Sequence, residues 1–427
     1  MFLMFFCTQY TWAQEGVLQN KSTSDGVYND LLKTVQLHAD YPKITGNNPN
    51  FNLMPIIKLG SQNKVHLSFD DLNDEDFTYS YTILYCTADW QQSELFYNDY
   101  LEGFNDDLIQ DFDFSEATLQ NYKHYQISFP NDMMKPLISG NYLFVVKNDD
   151  LDEVVIVKRF AVYLDEVKYS GANFHMAESP SYRFTHQELD YSLNYKAVKN
   201  YRTIEDFTVN IQQNGRWDNA LIDLKYTRAD NQQLIYDGIN TNLFEAGIEF
   251  KQLNLTNLRL FGIGVDNIQY TDDDFIVKAQ VGDNKKLTYY VNNQDINGGF
   301  IVNREGNDGV TRGEYATVHF YLDASKGRFA QPVYVAGAFN HWNFDEKNEM
   351  KFHPEHNVYH LKTRLKQGFY NFNYMVKNAK TKVAETMPIE GSFSESSNQY
   401  RIYVYLAATG LPSHDQLLEV VTLNTNR

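Results

Sequence analysis

The chain has 427 residues, 43% of them hydrophobic and 22% charged, which suits about two to four globular domains with buried cores. Its formal net charge is −18 at pH 7, from 37 Lys and Arg against 55 Asp and Glu, so nucleic acid and anionic lipid are disfavoured as partners. No segment after the N-terminus has the roughly 18 consecutive apolar residues of a membrane helix, so we expect no direct membrane insertion.

The N-terminus, MFLMFFCTQYTWAQEG, has the apolar run of a secretory signal peptide. Small residues at Thr11 and Ala13 predict cleavage between Ala13 and Gln14, although a basic start is missing, which leaves the true start codon open. Residues 1–13 are therefore predicted to be a signal peptide, and residues 14–39 an N-terminal segment. N-terminal sequencing of periplasmic material is expected to begin at Gln14, and a sequence still starting at Met1 would contradict export.

Short runs of alternating apolar and polar residues dominate the rest of the chain and predict β-strands. They fall into three groups, separated by turn clusters such as GDNKK and REGNDG. The first group is VHLSF, FTYSYTILY, HYQISF, NYLFVVK and VVIVKRFAVY; the second is FTVNIQQ, LIDLKY, LRLFGIGV (258–265), FIVKAQV and LTYYV (287–291); the third is YATVHFYL, VYVAGAF, VYHLKTRL, FYNFNYMVK and YRIYVYL. The pattern predicts an all-β fold of tandem immunoglobulin-like or early-set β-sandwich domains. The predicted ranges are 40–165, 166–310 and 311–427.

The stretch ADWQQSELFYNDYLEGFNDD, residues 88–107, interleaves aromatic side chains with carboxylates between two predicted strands. Long connections inside compact domains tend to be functional. One hypothesis is a glycan-cleaving carboxylate pair, which needs two carboxyl groups at a fixed separation on a rigid frame. The other is a partner-binding loop. Trp90 directly follows a strand and is expected to be buried, whereas Phe96, Tyr100 and Phe104 recur every four residues and would share one face of a short helix.

The sequence patterns argue against other kinds of metal or catalytic site. His353, His356 and His360 have a spacing that invites a metal site, but Pro354 and Asn357 predict a hairpin turn between them, so no metal is expected. The acidic run DDLNDED at 70–76 is interpreted as a solvated turn. The sequence contains no phosphate-binding loop, paired CxxC or serine-nucleophile elbow. Neither a cofactor nor an enzymatic activity is predicted.

The motif GAFNHWN at 337–343 resembles the G-x-F-N-x-W signature of early-set domains, which include glycogen- and starch-binding modules. LKQGFYNFNYMV at 365–376 resembles a strand pair of the same domains. Two interpretations of Trp342 stay open. It caps the core of its domain, or its ring stacks on a sugar in a secreted or periplasmic carbohydrate-binding protein.

A longer set of motifs resembles the plug proteins of the type IX secretion system of Bacteroidota. These motifs include YTILYCTADWQQSEL, YLEGFNDDLIQDFDFS, HYQISFPND, SGNYLFVVK, GIEFKQLN, LTYYVNNQDINGGFIV, VYVAGAFNHWN and IEGSFSESSNQYRIYVYL. The resemblance implies a non-enzymatic periplasmic protein that binds the periplasmic mouth of an outer-membrane β-barrel translocon and closes it when idle. The chain departs from the family pattern at SESSN (394–398) and SHDQLLEVV (413–421). The acid–aromatic loop lies in the most distinctive block, so Trp90, Phe96, Tyr100 and Phe104 are its predicted partner-binding residues.

Overall fold

A computed structural model describes residues 17–19, 21–40, 55–284, 286–287, 289–305, 309–407 and 414–425. The predicted signal peptide and its cleavage site lie outside these residues. The described chain is almost entirely β, and its two α-helices are single turns: α1 (Tyr97–Tyr100) and α2 (Gly309–Arg312). Two 3₁₀ turns span Ile204–Asp206 and Ala338–Asn340. Within the described ranges no helix is long and apolar enough to cross a membrane.

The N-terminal sandwich contains the first twelve strands. They are β1 (Gly26–Val27), β2 (Leu32–Ala39), β3 (Ile56–Lys58), β4 (Val65–Asp71), β5 (Tyr79–Cys86), β6 (Leu101–Gly103), β7 (Asp106–Leu108), β8 (Phe112–Phe114), β9 (Lys123–Phe129), β10 (Met134–Pro136), β11 (Gly140–Asn148) and β12 (Glu153–Tyr163). One sheet has the order β1-β12-β11-β5-β7, with β3 parallel to β12, and the facing sheet has the order β2-β4-β9-β8. Inward-facing aromatic residues such as Phe69, Tyr142 and Phe160 fill the core between them, as alternation along each strand requires.

The middle sandwich is built from two separate parts of the sequence. Its strands are β13 (Lys168–Met176), β14 (His186–Asn194), β15 (Phe207–Gln213), β16 (Arg216–Leu224), β17 (Arg228–Asp230), β18 (Gln233–Tyr236) and β19 (Leu243–Glu245), together with β30 (Gln399–Ala407) and β31 (Asp415–Asn424). One sheet has the order β13-β14-β18-β17, with β19 beside β14, and the other has the order β16-β15-β30-β31. Tyr400, Ile402 and Val404 of β30 lie in one core with Val209 and Ile211 of β15.

The inserted sandwich lies in the sequence between those two parts. Its strands are β20 (Lys251–Asn254), β21 (Val265–Tyr270), β22 (Phe275–Ala279), β23 (Phe300–Val302), β24 (Tyr315–Asp323), β25 (Val333–Ala336), β26 (Lys351–His353), β27 (Val358–Lys366), β28 (Gly368–Lys377) and β29 (Ala384–Glu385). One sheet runs β21-β22-β24-β27-β26, and in the other β28 pairs with β20, β23, β25 and β29. Its core extends from Leu253 to Ile389.

The predicted all-β fold of tandem sandwiches is confirmed. The predicted strand at 258–265 is wrong, because only Val265 begins a strand there, and Leu260, Phe261 and Ile263 are exposed in a loop. Gly264 explains the loop: its φ is +78°, and a Cβ there would lie 1.9 Å from the Gln252 carbonyl oxygen. The described residues of 287–291 also form no strand.

The three cores do not coincide with the predicted ranges 166–310 and 311–427. The two C-terminal strands belong to the core of the middle sandwich, whereas residues from 251 to 310 contribute strands to the inserted one. The reason is that β30 pairs with β15, from Phe207↔Leu406 to Gln213↔Tyr400, across almost two hundred residues of sequence. Local alternation contains no information about such a distant partner.

Candidate docking surface and contacts between the sandwiches

The acid–aromatic loop runs down one side of the N-terminal sandwich. After β5, the chain makes α1 and β6, pairs β7 with the edge of one sheet, and then pairs β8 with the edge of the other. The short strand β6 pairs with β10, from Leu101↔Pro136 to Gly103↔Met134. These three-residue strands hold the loop in one defined path, so its exposed side chains are presented by an ordered frame.

Trp90, as expected, is buried, with 3% of its surface exposed. Its ring packs edge-on against Trp217 of the middle sandwich at 5.0 Å between centroids, and the Arg159 guanidinium lies 4.7 Å from the ring. Such a cation over an indole face is attracted by the ring quadrupole. Trp90 therefore joins two sandwiches from the inside and has no surface to offer a partner.

The predicted helical face through Phe96, Tyr100 and Phe104 is wrong. The helix is one turn long, because Leu101 leaves it to enter β6. Tyr100 is buried in the core, where its hydroxyl donates to the Ile83 carbonyl at 3.3 Å. Phe96 and Phe104 remain 57% and 59% exposed. Two of the four predicted partner-binding residues thus support the loop from inside, and two are accessible.

Further exposed apolar side chains extend this accessible side, which we call the acidic aromatic surface. They lie on the same loop and on the neighbouring β10 hairpin: Phe96, Phe104, Leu108, Phe112, Phe114, Met133 and Leu137. Phe114 is 65% exposed, and its ring contacts that of Phe112 at 5.5 Å. Sequence reasoning missed Phe112 and Phe114, although the pattern FDFS, with phenylalanine alternating with an acid, was a usable signal.

The loop part of this surface carries charge of a single sign, while the β10 hairpin adds the exposed Lys135. Between residues 88 and 122 the chain carries nine acidic residues and neither lysine nor arginine. Most of these carboxylates are exposed: Asp89, Glu94, Asp99, Glu102, Asp106, Asp111, Asp113 and Glu116. Large exposed apolar groups among like charges are typical of a contact site for a protein of opposite charge.

Trp342 is not available as a sugar platform. It is 8% exposed and packs with Phe250, Met375 and Ala384, and a Cβ at Gly298 would lie 2.4 Å from its ring. The preceding His341 faces the N-terminal sandwich, where Lys158 Nζ lies 3.3 Å from His341 Nδ1. Burial and the adjacent Lys158 charge lower the pKa of His341. The GAFNHWN motif therefore forms core and contact between sandwiches.

The histidines considered for a metal lie on the hairpin expected from the sequence. β26 ends at His353, β27 contains His360, and residues 354–357 form the turn between them. His360 Nε2 instead lies 2.9 Å from Nδ1 of His319 on β24, a contact that spacing could not predict. Within the part of the chain that the structure describes, no group of three or more histidine, cysteine or acidic side chains could hold a metal ion.

The N-terminal and inserted sandwiches meet at a buried ion pair. Lys366 Nζ lies 2.7 Å from Asp70 Oδ2, and both side chains are almost fully buried. Tyr315 donates its hydroxyl to Asp70 at 2.6 Å, and His124 Nδ1 lies 2.6 Å from the other carboxylate oxygen. Burial lowers the pKa of Lys366, while Asp70 opposes that shift. The interpretation of residues 70–76 as a solvated turn is wrong at Asp70 and Asp71, which end β4 inside the protein.

The N-terminal and middle sandwiches share a small apolar core and direct hydrogen bonds. Tyr405 donates its hydroxyl to Asn141 Oδ1 at 2.9 Å, and Asn210 Nδ2 donates to the Ala88 carbonyl at 2.7 Å. Asp415 accepts from the Ala88 amide at 2.8 Å. The divergent SHDQLLEVV segment thus contributes to this interface.

The middle and inserted sandwiches are joined by two chain segments that lie side by side, 246–250 and 392–398. Phe393 donates its amide to the Gly247 carbonyl at 2.9 Å, and the Ser397 amide donates to Glu249 Oε1 at 2.9 Å. The divergent SESSN segment is part of this double connection. Each of the three sandwiches therefore contacts both of the others, which favours a stiff body.

Asp295, which accepts a hydrogen bond from the Phe250 amide of the double connection, makes stability depend on pH. Burial, with a smaller contribution from Glu249, raises the pKa of Asp295 to about 7 against hydrogen bonds from the Asn297 and Phe250 amides. An acid whose pKa is raised on folding stabilises the fold below its unfolded pKa and loses that contribution as pH rises through the folded value. We expect the urea midpoint to fall between pH 5 and 8, with a shallower fall in Asp295→Asn. Equal slopes in both proteins would contradict this assignment.

Comparisons with known proteins support the resemblance. Residues 32–164 match the model described as "Type 9 secretion system plug protein 1st domain". A crystal structure of a hypothetical protein from Parabacteroides merdae is 29% identical, with a TM-score of 0.86 over 94% of this chain and 99% of that one. A structure of Escherichia coli alpha-2-macroglobulin is 9% identical, and the match covers 92% of this chain and 34% of that one. Its TM-score of 0.18 is too low to indicate a shared fold. No curated protein matches the chain.

Proposed function

We propose that this chain is a non-enzymatic plug, on the premise that residues 32–164 are the first domain of a type IX secretion system plug protein. It binds the periplasmic mouth of the outer-membrane β-barrel translocon and closes it while no cargo is in transit. The protein reaches that site in the periplasm by export through its N-terminal signal. The domain match is the observation that carries the proposal.

The contacts between the sandwiches support this role physically. An outer-membrane pore wide enough for folded cargo needs a large occluding body that does not deform. Interfaces between domains in one chain commonly allow relative motion unless they are large or specifically bonded. Here three separate interfaces link three sandwiches, including the fully buried Asp70–Lys366 pair. Because each sandwich is bonded to both of the others, the protein resists bending at any one interface.

We assign docking to the acidic aromatic surface. Aromatic side chains are enriched at the centres of protein interfaces, and complementary charge directs association. The accessible phenylalanines supply apolar contacts, and the surrounding carboxylates select a partner surface that is rich in lysine and arginine. The edges of β7 and β8 add unpaired backbone groups beside them. Trp90 and Tyr100 act only by holding this surface in place.

The test replaces Phe104, Phe112 and Phe114 together by serine. The variant is expected to fold with a small loss of melting temperature, because Phe104 and Phe114 are well exposed and only Phe112, 40% exposed, packs on the core residue Tyr125. Recovery of the outer-membrane barrel with the tagged protein from native envelope is expected to fall by about tenfold or more, since buried aromatic anchors dominate interface energies. Cells carrying the variant are expected to become sensitive to large antibiotics that the outer membrane normally excludes.

The matched control replaces Ile222 and Ile239, exposed apolar residues of the middle sandwich, by serine. It removes exposed apolar side chains away from the acidic aromatic surface, so co-purification and antibiotic exclusion are expected to remain normal. Undiminished co-purification of the triple variant would place the docking surface elsewhere. Absence of any barrel from the wild-type preparation would overturn the plug assignment itself.

A further inference from the structure

A cleft of about 130 Å³ lies between the N-terminal and inserted sandwiches, next to the Asp70–Lys366 pair. The N-terminal sandwich contributes Lys33 and Thr34 of β2, and the inserted sandwich contributes Arg364 of β27 and Lys347. The cleft is thus shared by two sandwiches and is separate from the acidic aromatic surface.

The cleft is lined by four cations and two carboxylates, an excess of positive charge in a chain whose net charge is −18: Lys33, Lys347, Arg364 and Lys366 against Asp30 and Asp345. Burial lowers the pKa of Lys33; Asp30 opposes that shift, and the nearby Lys347 and Arg364 charges add smaller contributions that lower the pKa further. Asp30 is already paired with Lys347 at 2.5 Å and is largely exposed. The Lys33 ammonium makes no hydrogen bond or ion pair within the described residues. Like charges held together across an interface are unfavourable unless an anion compensates them.

The guanidinium of Arg364 has unused donor capacity. Its Nη1 forms an ion pair with Asp274 Oδ1 at 3.6 Å, too long for a good hydrogen bond, and its buried Nε has no acceptor among the described residues. A buried donor without a partner is costly and calls for an explanation such as a bound ion or water. The planar guanidinium fork suits the oxygen atoms of phosphate or carboxylate.

The backbone beside these cations is strained. Thr34 has φ +53°, a left-handed conformation that is rare for a β-branched residue, and the register of β2 against β4 shifts between Lys33 and Gln36. The Thr34 hydroxyl lies 2.6 Å from that of Tyr315 in the inserted sandwich. Strained residues cluster at ligand sites, where the surrounding structure keeps the unfavourable conformation.

We propose that this cleft binds one small oxyanion, with free inorganic phosphate as the physiological ligand, between Lys33 and Arg364. The ion neutralises cations contributed by both sandwiches and therefore strengthens the contact between them. The volume accommodates a phosphate-sized ion and its water but not a lipid headgroup with its glycerol. Asp30 and Asp345 at the cleft disfavour more highly charged anions. The proposal does not depend on the plug assignment, since it concerns the isolated protein.

The test measures phosphate binding to the whole protein by calorimetry, and the melting temperature in phosphate against chloride at equal ionic strength and pH. Wild type is expected to bind phosphate saturably and to melt higher in it. Lys33→Met is expected to weaken binding by about tenfold or more, because one charge-assisted hydrogen bond is lost. In chloride its melting temperature is expected to be equal or higher, because a repulsive charge has gone.

Two further variants complete the test. Arg364→Gln is expected to weaken phosphate binding as Lys33→Met does. Lys326→Met, which removes an exposed cation outside the cleft, is expected to leave binding unchanged. Unaltered phosphate binding in Lys33→Met, with a lower melting temperature in chloride, would show a merely structural lysine and overturn the proposal. Glycerol 3-phosphate bound as tightly as phosphate would overturn the assignment to the free ion.

Discussion

Replacing Lys366 by methionine is expected to destabilise the protein by about 3–5 kcal/mol, because Asp70 would then be buried as a charge without its cation. The carboxylate keeps its hydrogen bond from Tyr315 and its contact with His124, but it loses the Lys366 ammonium. The Lys366 ammonium also donates to the Val310 carbonyl, so a second hydrogen bond is lost. Urea unfolding at pH 7, followed by tryptophan fluorescence, measures the change.

The double variant Asp70→Asn, Lys366→Met separates the cost of an unpaired charge from the loss of packing. Removing both members of a buried ion pair is often nearly neutral, so the double variant is expected to regain most of the lost stability. A double variant as unstable as Lys366→Met alone would mean that packing at this junction, rather than the ion pair, joins the N-terminal and inserted sandwiches.

Replacing Trp342 by alanine is also expected to cost about 3–5 kcal/mol, the usual range for removing a buried tryptophan. The indole fills the space between Gly298, Phe250 and Met375, and the Arg216 guanidinium of the middle sandwich lies 5.5 Å from its ring. The variant therefore loses core packing and a contact between sandwiches together. Thermal unfolding of wild type and variant under identical conditions measures the loss.

Trp342→Phe is the conservative control, since it keeps an aromatic ring in the same space and is expected to lose less stability than alanine. Affinity electrophoresis through gels containing glycogen tests the carbohydrate hypothesis on the same proteins. We expect no retardation of wild type. A variant that keeps its melting temperature and loses glycan retardation would favour a carbohydrate-binding function.

The fold class follows from sequence because strand formation is encoded locally. Alternating apolar residues, aromatic side chains and turn clusters predicted an all-β chain, and the strand around Phe144 or Tyr374 appears where that pattern places it. The burial of Trp90 was likewise predicted from its place directly after a strand. In these cases the local pattern is sufficient for the prediction, although Arg159 and Trp217, the residues that bury Trp90, are distant from it in sequence.

The predictions that were wrong concern interactions between residues that are distant in the sequence. An acidic run such as 70–76 looks solvated until Lys366 and Tyr315, almost three hundred residues later, are brought to Asp70. The recurrence of Phe96, Tyr100 and Phe104 indicated a helix, but pairing of β6 with β10 ends it after one turn. The cationic cleft had no sequence signal, because Lys33 and Arg364 come from different sandwiches.

The split middle sandwich has a consequence for the order in which the chain can fold. Strands β30 and β31 complete a sheet whose other members end at residue 224, so about half of that sheet emerges last from synthesis or export. Until then Val209 and Ile211 lack the part of their core that β30 and β31 supply, whereas every described strand of the inserted sandwich is already present. A chain shortened to residue 398 would keep the strands of its N-terminal and inserted sandwiches and expose the middle one. Damage confined to the C-terminus therefore acts on the middle sandwich, whose other strands lie almost two hundred residues earlier.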